Sequence, residues 1–206
     1  FAEFLAKKYD VSVDCITISK NQYDFTKKRI LNSGLNNKVN VKFLDYRDVK
    51  DKYDHVVSIE MIEAVGEEYM DKYFETIKKV LNKDGTAAIQ GIAIKNELFD
   101  RYRANEDFIQ KYIFPGGFLP SINFMEKLIM KNDLKLEKIN TYSDDYARTL
   151  ATWRENFLGV WDKISPLGFD DYFKRMWEFY LSYCEGGFKS RNINLIQFSM
   201  SNRYSS

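Results

Sequence analysis

Histidine is almost missing from this chain of 206 residues; His55 is the sole example. Metal catalysis needs clustered His, Cys or carboxylate ligands. A Ser-His-Asp hydrolase would need that one histidine and a Gly-x-Ser-x-Gly elbow, which the sequence does not contain. His55 opens a strand-like run, the wrong end for a site in a parallel sheet, and reads as a half-exposed strand-edge residue. No metal site is therefore expected. Cysteine is scarce as well: Cys15 and Cys184 are too few for a disulfide framework, so a reducing cytoplasm is expected. Charge of one sign is lacking, with 31 basic residues against 30 acidic. That balance argues against nucleic acid as a partner, because phosphate binding needs a net basic face. No apolar run approaches the roughly 18 residues of a membrane span. The charged start and apolar middle of a signal peptide are absent. So is the glycine-rich loop that nucleotide-binding doubly wound sheets carry after their first strand.

Aromatic residues, by contrast, make up 16% of the chain, an unusual amount of flat apolar surface to bury or to present to a ligand. The opening "FAEFLAKKYD" is an amphipathic helix without an N-cap, which reads as a cut inside a longer protein. Strand and helix patterns then alternate. "VSVDCITI" (11–18) is a strand, "NQYDFTKKRILNSGL" a helix closed by Gly34, and "VNVKFL" (39–44) and "DHVVSI" are strands. A helix carrying Met70, Tyr73, Phe74, Ile77, Val80 and Leu81 follows, then a turn at "NKDG" and the strand "TAAIQGIAI" (86–94). This order predicts βαβ units on a mostly parallel sheet, with ligands beyond the carboxyl ends of the strands. The second half holds a shaped loop at 108–122, a helix, the strand "LKLEKINTY" and two long aromatic helices, and it closes on a strand at 194–200. One long helix is read with Tyr146, Leu150, Trp153, Phe157 and Trp161 on a single face, the other with Phe173, Trp177, Tyr180 and Cys184. The expected organisation is one domain, 1–206, with a helical insertion within 95–185.

The stretch "VVSIEMIEAVGEEYMDKYFETIKKVL" (56–81) places Glu63 where a strand leaves the sheet, among apolar neighbours that disfavour its charge. A helix-terminal acid stabilised by the helix dipole would explain it without chemistry. A carboxylate facing a ligand would also explain it.

The segments "VSVDCITISKNQ", "LDYRDV", "SIEMIEAVGEEYMDKYFETI", "DFIQKYIFPGGFLPSI", "TLATWRENF" and "YCEGGFKSR" closely resemble the cyclopropane-fatty-acyl-phospholipid synthase family, which includes the mycolic acid cyclopropane synthases. "MIEAVG" and the glutamine of "AIQGIAI" resemble its eukaryotic-type branch. The resemblance covers nearly the whole chain. It implies an α/β fold, the Rossmann-like sheet of a class I S-adenosylmethionine-dependent methyltransferase, with a helical insertion. In the family the first strand, the glycine-rich loop and a cysteine near the active site precede the point where this chain starts. An N-terminal segment of about a hundred residues or more is expected, and with it an unpaired interior slot in the sheet formed by these residues. The 206 residues alone are expected to be inactive.

The implied reaction adds a methylene group to a cis double bond in the acyl chain of an unsaturated phospholipid and closes a cyclopropane ring. S-adenosylmethionine donates the methyl, and a bound bicarbonate accepts the proton. By motif position the anion would be held by Glu63, Tyr146, Gln90 and the backbone at Ile92. Thr17, Ile18, Ser19 and Gln22 match positions on the methionine and ribose side of the cofactor. Asp45, Tyr46, Arg47 and Ile59 match positions on its adenine side. Phe114, Gly116 and Gly117 would leave room for the acyl chain. Scattered basic residues, Lys111, Lys127, Lys131, Lys174 and Arg175, could meet anionic headgroups in peripheral membrane contact from the cytoplasm. Rival readings are a related methyltransferase of fatty acids or small molecules, and a non-catalytic lipid-binding remnant. A homodimer is left open.

Overall fold

The computed structural model describes residues 1–202 and divides the chain into two compact units, Phe1–Asp51 and Lys52–Ser206. In the first unit, helix α1 (Ala2–Lys8) precedes strand β1 (Val13–Thr17), helix α2 (Lys20–Asn32) and strand β2 (Val39–Phe43). β1 and β2 are parallel, Val13 opposite Val39 and Thr17 opposite Phe43. Ala6, Ile30 and Val39 form a small buried core. Glu3 ties the two helices together by accepting hydrogen bonds from Arg29 Nε (2.7 Å) and Ser33 Oγ (3.1 Å). Gly34 closes α2 at φ +66°, a conformation that favours glycine.

The second unit runs β3 (Tyr53–Ile59), α3 (Met70–Val80), β4 (Leu81–Ile94), α4 (Phe99–Arg103), α5 (Phe108–Tyr112), α6 (Ile122–Lys131), β5 (Leu134–Thr141), α7 (Ser143–Gly159), α8 (Trp161–Ile164), α9 (Asp171–Lys189) and β6 (Ile193–Asn202). Its sheet has the order β3-β4-β6-β5. The β3/β4 pair is parallel, whereas β6 runs antiparallel to both β4 and β5. The sheet is thus more mixed than the sequence reading, because the last strand enters between β4 and β5 in the reverse direction. Among the described residues no ladder joins the β1-β2 sheet to this one.

The helical repeat of α3 holds for Met70, Tyr73, Phe74, Ile77 and Val80, all buried, whereas Leu81, expected to continue it, turns extended and opens β4. Along β4, Ala87, Ile89 and Ala93 are buried, and the two-residue period turns Gln90 and Ile92 to the opposite face. Three local readings change. The "NKDG" turn is absorbed into β4 by a register shift between Tyr53 and His55 of its partner strand. The 108–122 loop begins with a short helix, α5, capped reciprocally by Asp107 and Gln110. Trp161 does not share a helix with Tyr146, since α7 ends at Gly159 and α8 starts at Trp161. Residues 95–185 hold α4 to α8 and most of α9, but also β5. Among the described residues no helix is long and apolar enough to cross a membrane.

Candidate active site

β3 ends at Ile59, and the next residue turns sharply. Glu60 has φ +51°, unusual for a residue with a Cβ. A single 3-10 turn, Ile62–Ala64, then carries Glu63, so no long helix stands behind it to supply a dipole. Ile62 anchors this turn, 1% exposed. The Glu63 Oε1 atom accepts a 2.6 Å hydrogen bond from the Ile92 backbone N–H, across the parallel β3/β4 pair. Its Oε2 is sealed from solvent and has no partner among the described residues. Burial pushes the Glu63 carboxyl up from the usual glutamate range, backbone hydrogen bonds offset part of this, and the neighbouring Glu60 charge adds to the rise. Gly91 permits the arrangement. A Cβ there would sit 2.6 Å from Ile62 Cγ2 and 3.4 Å from Glu63 Oε1.

Glu60, which the sequence reading passed over, is the hub. Its Oε2 accepts from the Tyr146 hydroxyl at 3.1 Å and its Oε1 from Gln90 Nε2 at 2.8 Å. Gln90 is fixed in turn by Gln197 Nε2, which donates to its Oε1 at 2.7 Å from β6. Tyr146 projects from the first turns of α7 and packs edge-on against Phe188 of α9, ring centroids 4.8 Å apart. Burial, followed by the Glu60 charge, raises its hydroxyl well above the ordinary tyrosine range, so it is a neutral donor at physiological pH. The signal for Glu60 was present in "SIEMIEAVG", two acids three residues apart at a strand's carboxyl end. Only the left-handed turn at Glu60 reveals that both serve one site.

Glu60, Glu63, Ile92 and Tyr146 face one cavity of about 1550 Å³, lined otherwise by many apolar side chains. That exceeds the range of ~300–1,000 Å³ usual for small-ligand pockets. The "PGG" loop forms part of the wall. Phe114 meets Tyr180 edge-on at 6.2 Å, and Phe118 N–H donates to the Glu63 carbonyl at 2.9 Å. Gly116 adopts φ +81°, and a side chain on Gly117 would press on the Phe114 carbonyl at 3.0 Å. Tyr102, Tyr180 and Cys184 also line the cavity, each pushed up to about 12 with burial as the main cause.

The cofactor-side expectations fall in different units. Thr17, Ile18, Ser19, Gln22, Asp45, Tyr46 and Arg47 gather at the carboxyl ends of β1 and β2 in the first unit. Thr17 Oγ1 donates to Gln22 Oε1 at 2.8 Å, and Ser19 caps α2 by accepting from the Gln22 N–H. Asp45 is held below the usual carboxylate range by the Arg47 guanidinium, which contacts both its oxygens at 2.9 and 2.8 Å. Ile18 is 72% exposed at this edge. An exposed apolar side chain and an aromatic ring, Tyr46, at one sheet edge suit the adenosyl part of S-adenosylmethionine. Ile59 ends β3 in the second unit and is likewise exposed. The resemblance assigns a bicarbonate to this same cluster. Both side-chain donors assigned to it, Tyr146 and Gln90, are engaged by Glu60. His55 bonds Thr86 Oγ1 at 2.9 Å near the start of β3, four residues before the strand's carboxyl end. Lys131, one of the basic residues assigned to headgroups, pairs with Asp71 at 2.6 Å.

A family model described as mycolic acid cyclopropane synthetase matches residues 1–198. The tuberculostearic acid methyltransferase UfaA1 of Mycobacterium tuberculosis is 38% identical over 186 residues, covering 90% of this chain and 44% of that protein. The cyclopropane-fatty-acyl-phospholipid synthase of Escherichia coli K12 is 36% identical over 197 residues, covering 95% and 49%. The chain thus spans about half the length of these curated relatives. Among solved structures, the mycolic acid cyclopropane synthase CmaA1 complexed with SAH and CTAB aligns with a TM-score of 0.86 at 26% identity, over 95% of this chain and 72% of that one. MmaA2 from Mycobacterium tuberculosis shares the fold, with a TM-score of 0.85 at 24% identity.

Proposed function

The chain belongs to the mycolic acid cyclopropane synthetase family, and from that premise we propose that the whole protein forms cyclopropane rings on the unsaturated acyl chains of phospholipids. The fold is that of a class I S-adenosylmethionine-dependent methyltransferase. S-adenosylmethionine, when bound, supplies an electrophilic methyl group. Thr17, Ile18, Ser19, Gln22, Asp45 and Tyr46 of the first unit are the residues proposed to hold it, and Ile59 carries the same assignment within the second.

One observation carries the reading: two carboxylates and a phenol face a single large, mainly apolar cavity. Methyl addition to an alkene leaves a carbon cation, and fixed negative charge in a dry site is the strongest means of stabilising it. Glu63 is built for this. Its carboxylate is aimed by the Ile92 amide and desolvated by its neighbours. Ile92, Leu150, Trp153 and Phe114 supply apolar wall, and an acyl chain seated against it would exclude the water that otherwise traps the cation as an alcohol. The same walls suit an acyl chain. Leu167, Phe169 and Tyr172 are exposed near the start of α9 and support peripheral contact with a membrane, proposed to occur from the cytoplasmic side.

The full-length protein, incubated with methyl-labelled S-adenosylmethionine and vesicles of unsaturated phospholipid, is expected to yield fatty acids that gain one CH2 and lose the double bond. Fatty-acid mass spectrometry reads this out. Absence of label in the lipid fraction would overturn the reading. A second product class has its own support, the 38% identity with a tuberculostearic acid methyltransferase. That reading predicts a saturated, methyl-branched chain when a hydride donor is supplied in the assay to quench the cation, and this product differs from the ring product by two hydrogens in the same spectra.

A further inference from the structure

Glu60 occupies the place that a small anion would need. Its planar carboxylate receives Gln90 Nε2 at 2.8 Å on one oxygen and the Tyr146 hydroxyl at 3.1 Å on the other. Both donors are held by independent contacts, Gln90 by Gln197 of β6 and Tyr146 by the Phe188 ring of α9. The backbone is committed too. Glu60 N–H donates to the Gln90 carbonyl at 2.8 Å, and φ is held at +51°, a conformation disfavoured by the Cβ. Such geometry persists only where the surroundings over-determine it. A free bicarbonate would have to displace this carboxylate and sit near Glu63 as well.

We propose that Glu60 is itself the anion of this site and the proton acceptor of ring closure, so that the reaction runs without bound bicarbonate. The inference rests on the function proposed above. In the step, the alkene's π pair forms the bond to the transferred methyl, and the sulfonium leaves as neutral S-adenosylhomocysteine. A C–H bond of the new methyl then breaks. Its electron pair closes the ring onto the cationic carbon, the proton goes to the Glu60 carboxylate, and the carboxylic acid later releases it to water. Tyr146 and Gln90 orient the acceptor oxygens; they do not take the proton.

The test compares full-length wild type with Glu60→Gly. Glycine accepts φ +51° without strain, so the variant removes the carboxylate while keeping the turn. Turnover is measured in bicarbonate-depleted and bicarbonate-supplied buffer, and binding of 13C-labelled bicarbonate is followed by NMR. Wild type is expected to turn over equally in both buffers and to leave the bicarbonate signal unchanged. Glu60→Gly should lose about 10²-fold or more in depleted buffer, bind the labelled anion, and recover part of its turnover when it is supplied. Stimulation of wild type by bicarbonate, or full activity of Glu60→Gly in depleted buffer, would overturn the proposal. If wild type makes no product in either buffer, the proposed function fails and the acceptor role with it. The NMR arm stays separate: bicarbonate binding by wild type would refute occupancy of the anion position by Glu60.

Discussion

Glu63 is held between opposing demands. The chemistry needs its charge, while burial favours the neutral acid. Its folded pKa lies above the unfolded glutamate value of about 4.3, so the native state binds a proton more tightly than the unfolded chain. The stability this contributes is fully present below the unfolded pKa and is lost as pH rises through the folded pKa. Glu63→Gln removes that dependence. The variant is expected to be more stable than wild type at neutral pH, with the gap closing toward pH ~4, as urea unfolding across that range would register. Turnover should fall by about 10²-fold or more, while S-adenosylmethionine binding by calorimetry stays nearly unchanged. A variant with full turnover would remove Glu63 from the mechanism. The acid limb of the wild-type rate profile should lie above the ordinary glutamate range, since Glu63 must ionise to act.

Among the elements, α7 and α9 form the wall behind Tyr146, and a buried carboxylate clasps them together. Glu185 of α9 is 6% exposed. Arg154 of α7 reaches its Oε2 at 3.1 Å and donates to Ser182 Oγ at 2.9 Å, and Lys189 meets the other carboxylate oxygen at 2.5 Å. The two cations are not equivalent. Arg154 bridges helices, whereas Lys189 lies one turn away on the same helix with a side chain 64% exposed. Arg154→Ala leaves Glu185 short of its interhelical partner and should cost on the order of 3 kcal/mol. Lys189→Ala should stay within about 0.5 kcal/mol. Denaturant unfolding of the two variants checks the ranking, and equal losses would show that Arg154 does not join the helices. The sequence exposed little of this. "YCEGGFKSR" displays Glu185, but its partner lies 31 positions earlier, and only helix packing makes the pair.

For the molecule as a whole, the two units differ in how much each buries. The first has a two-stranded sheet and a core built on Ala6, Ile30 and Val39, and a two-stranded sheet is marginal alone. The second centres on β4 and β6, both paired on two sides, with Ile89, Ile196, Phe198 and Met200 buried. Hydrogen exchange followed by mass spectrometry should therefore find peptides from 1–51 exchanging before those from 81–94 and 193–202. The reverse order would contradict this reading of where stability resides.

Periodicity and composition by themselves determined the order of the strands and the longer helices, most of the buried face of α3, and the placement of Glu63 at the carboxyl end of β3. These depend on neighbours within a turn or two of the chain, and such short-range constraints are written in the residue order. The antiparallel entry of β6, the break between α7 and α8 and the hub at Glu60 were decided only in three dimensions. Glu60 draws its meaning from Gln90, Tyr146 and Gln197, which are 30, 86 and 137 positions further along. A hydrogen bond acts over about 3 Å, so a site assembled from such distant segments exists only once the chain has folded.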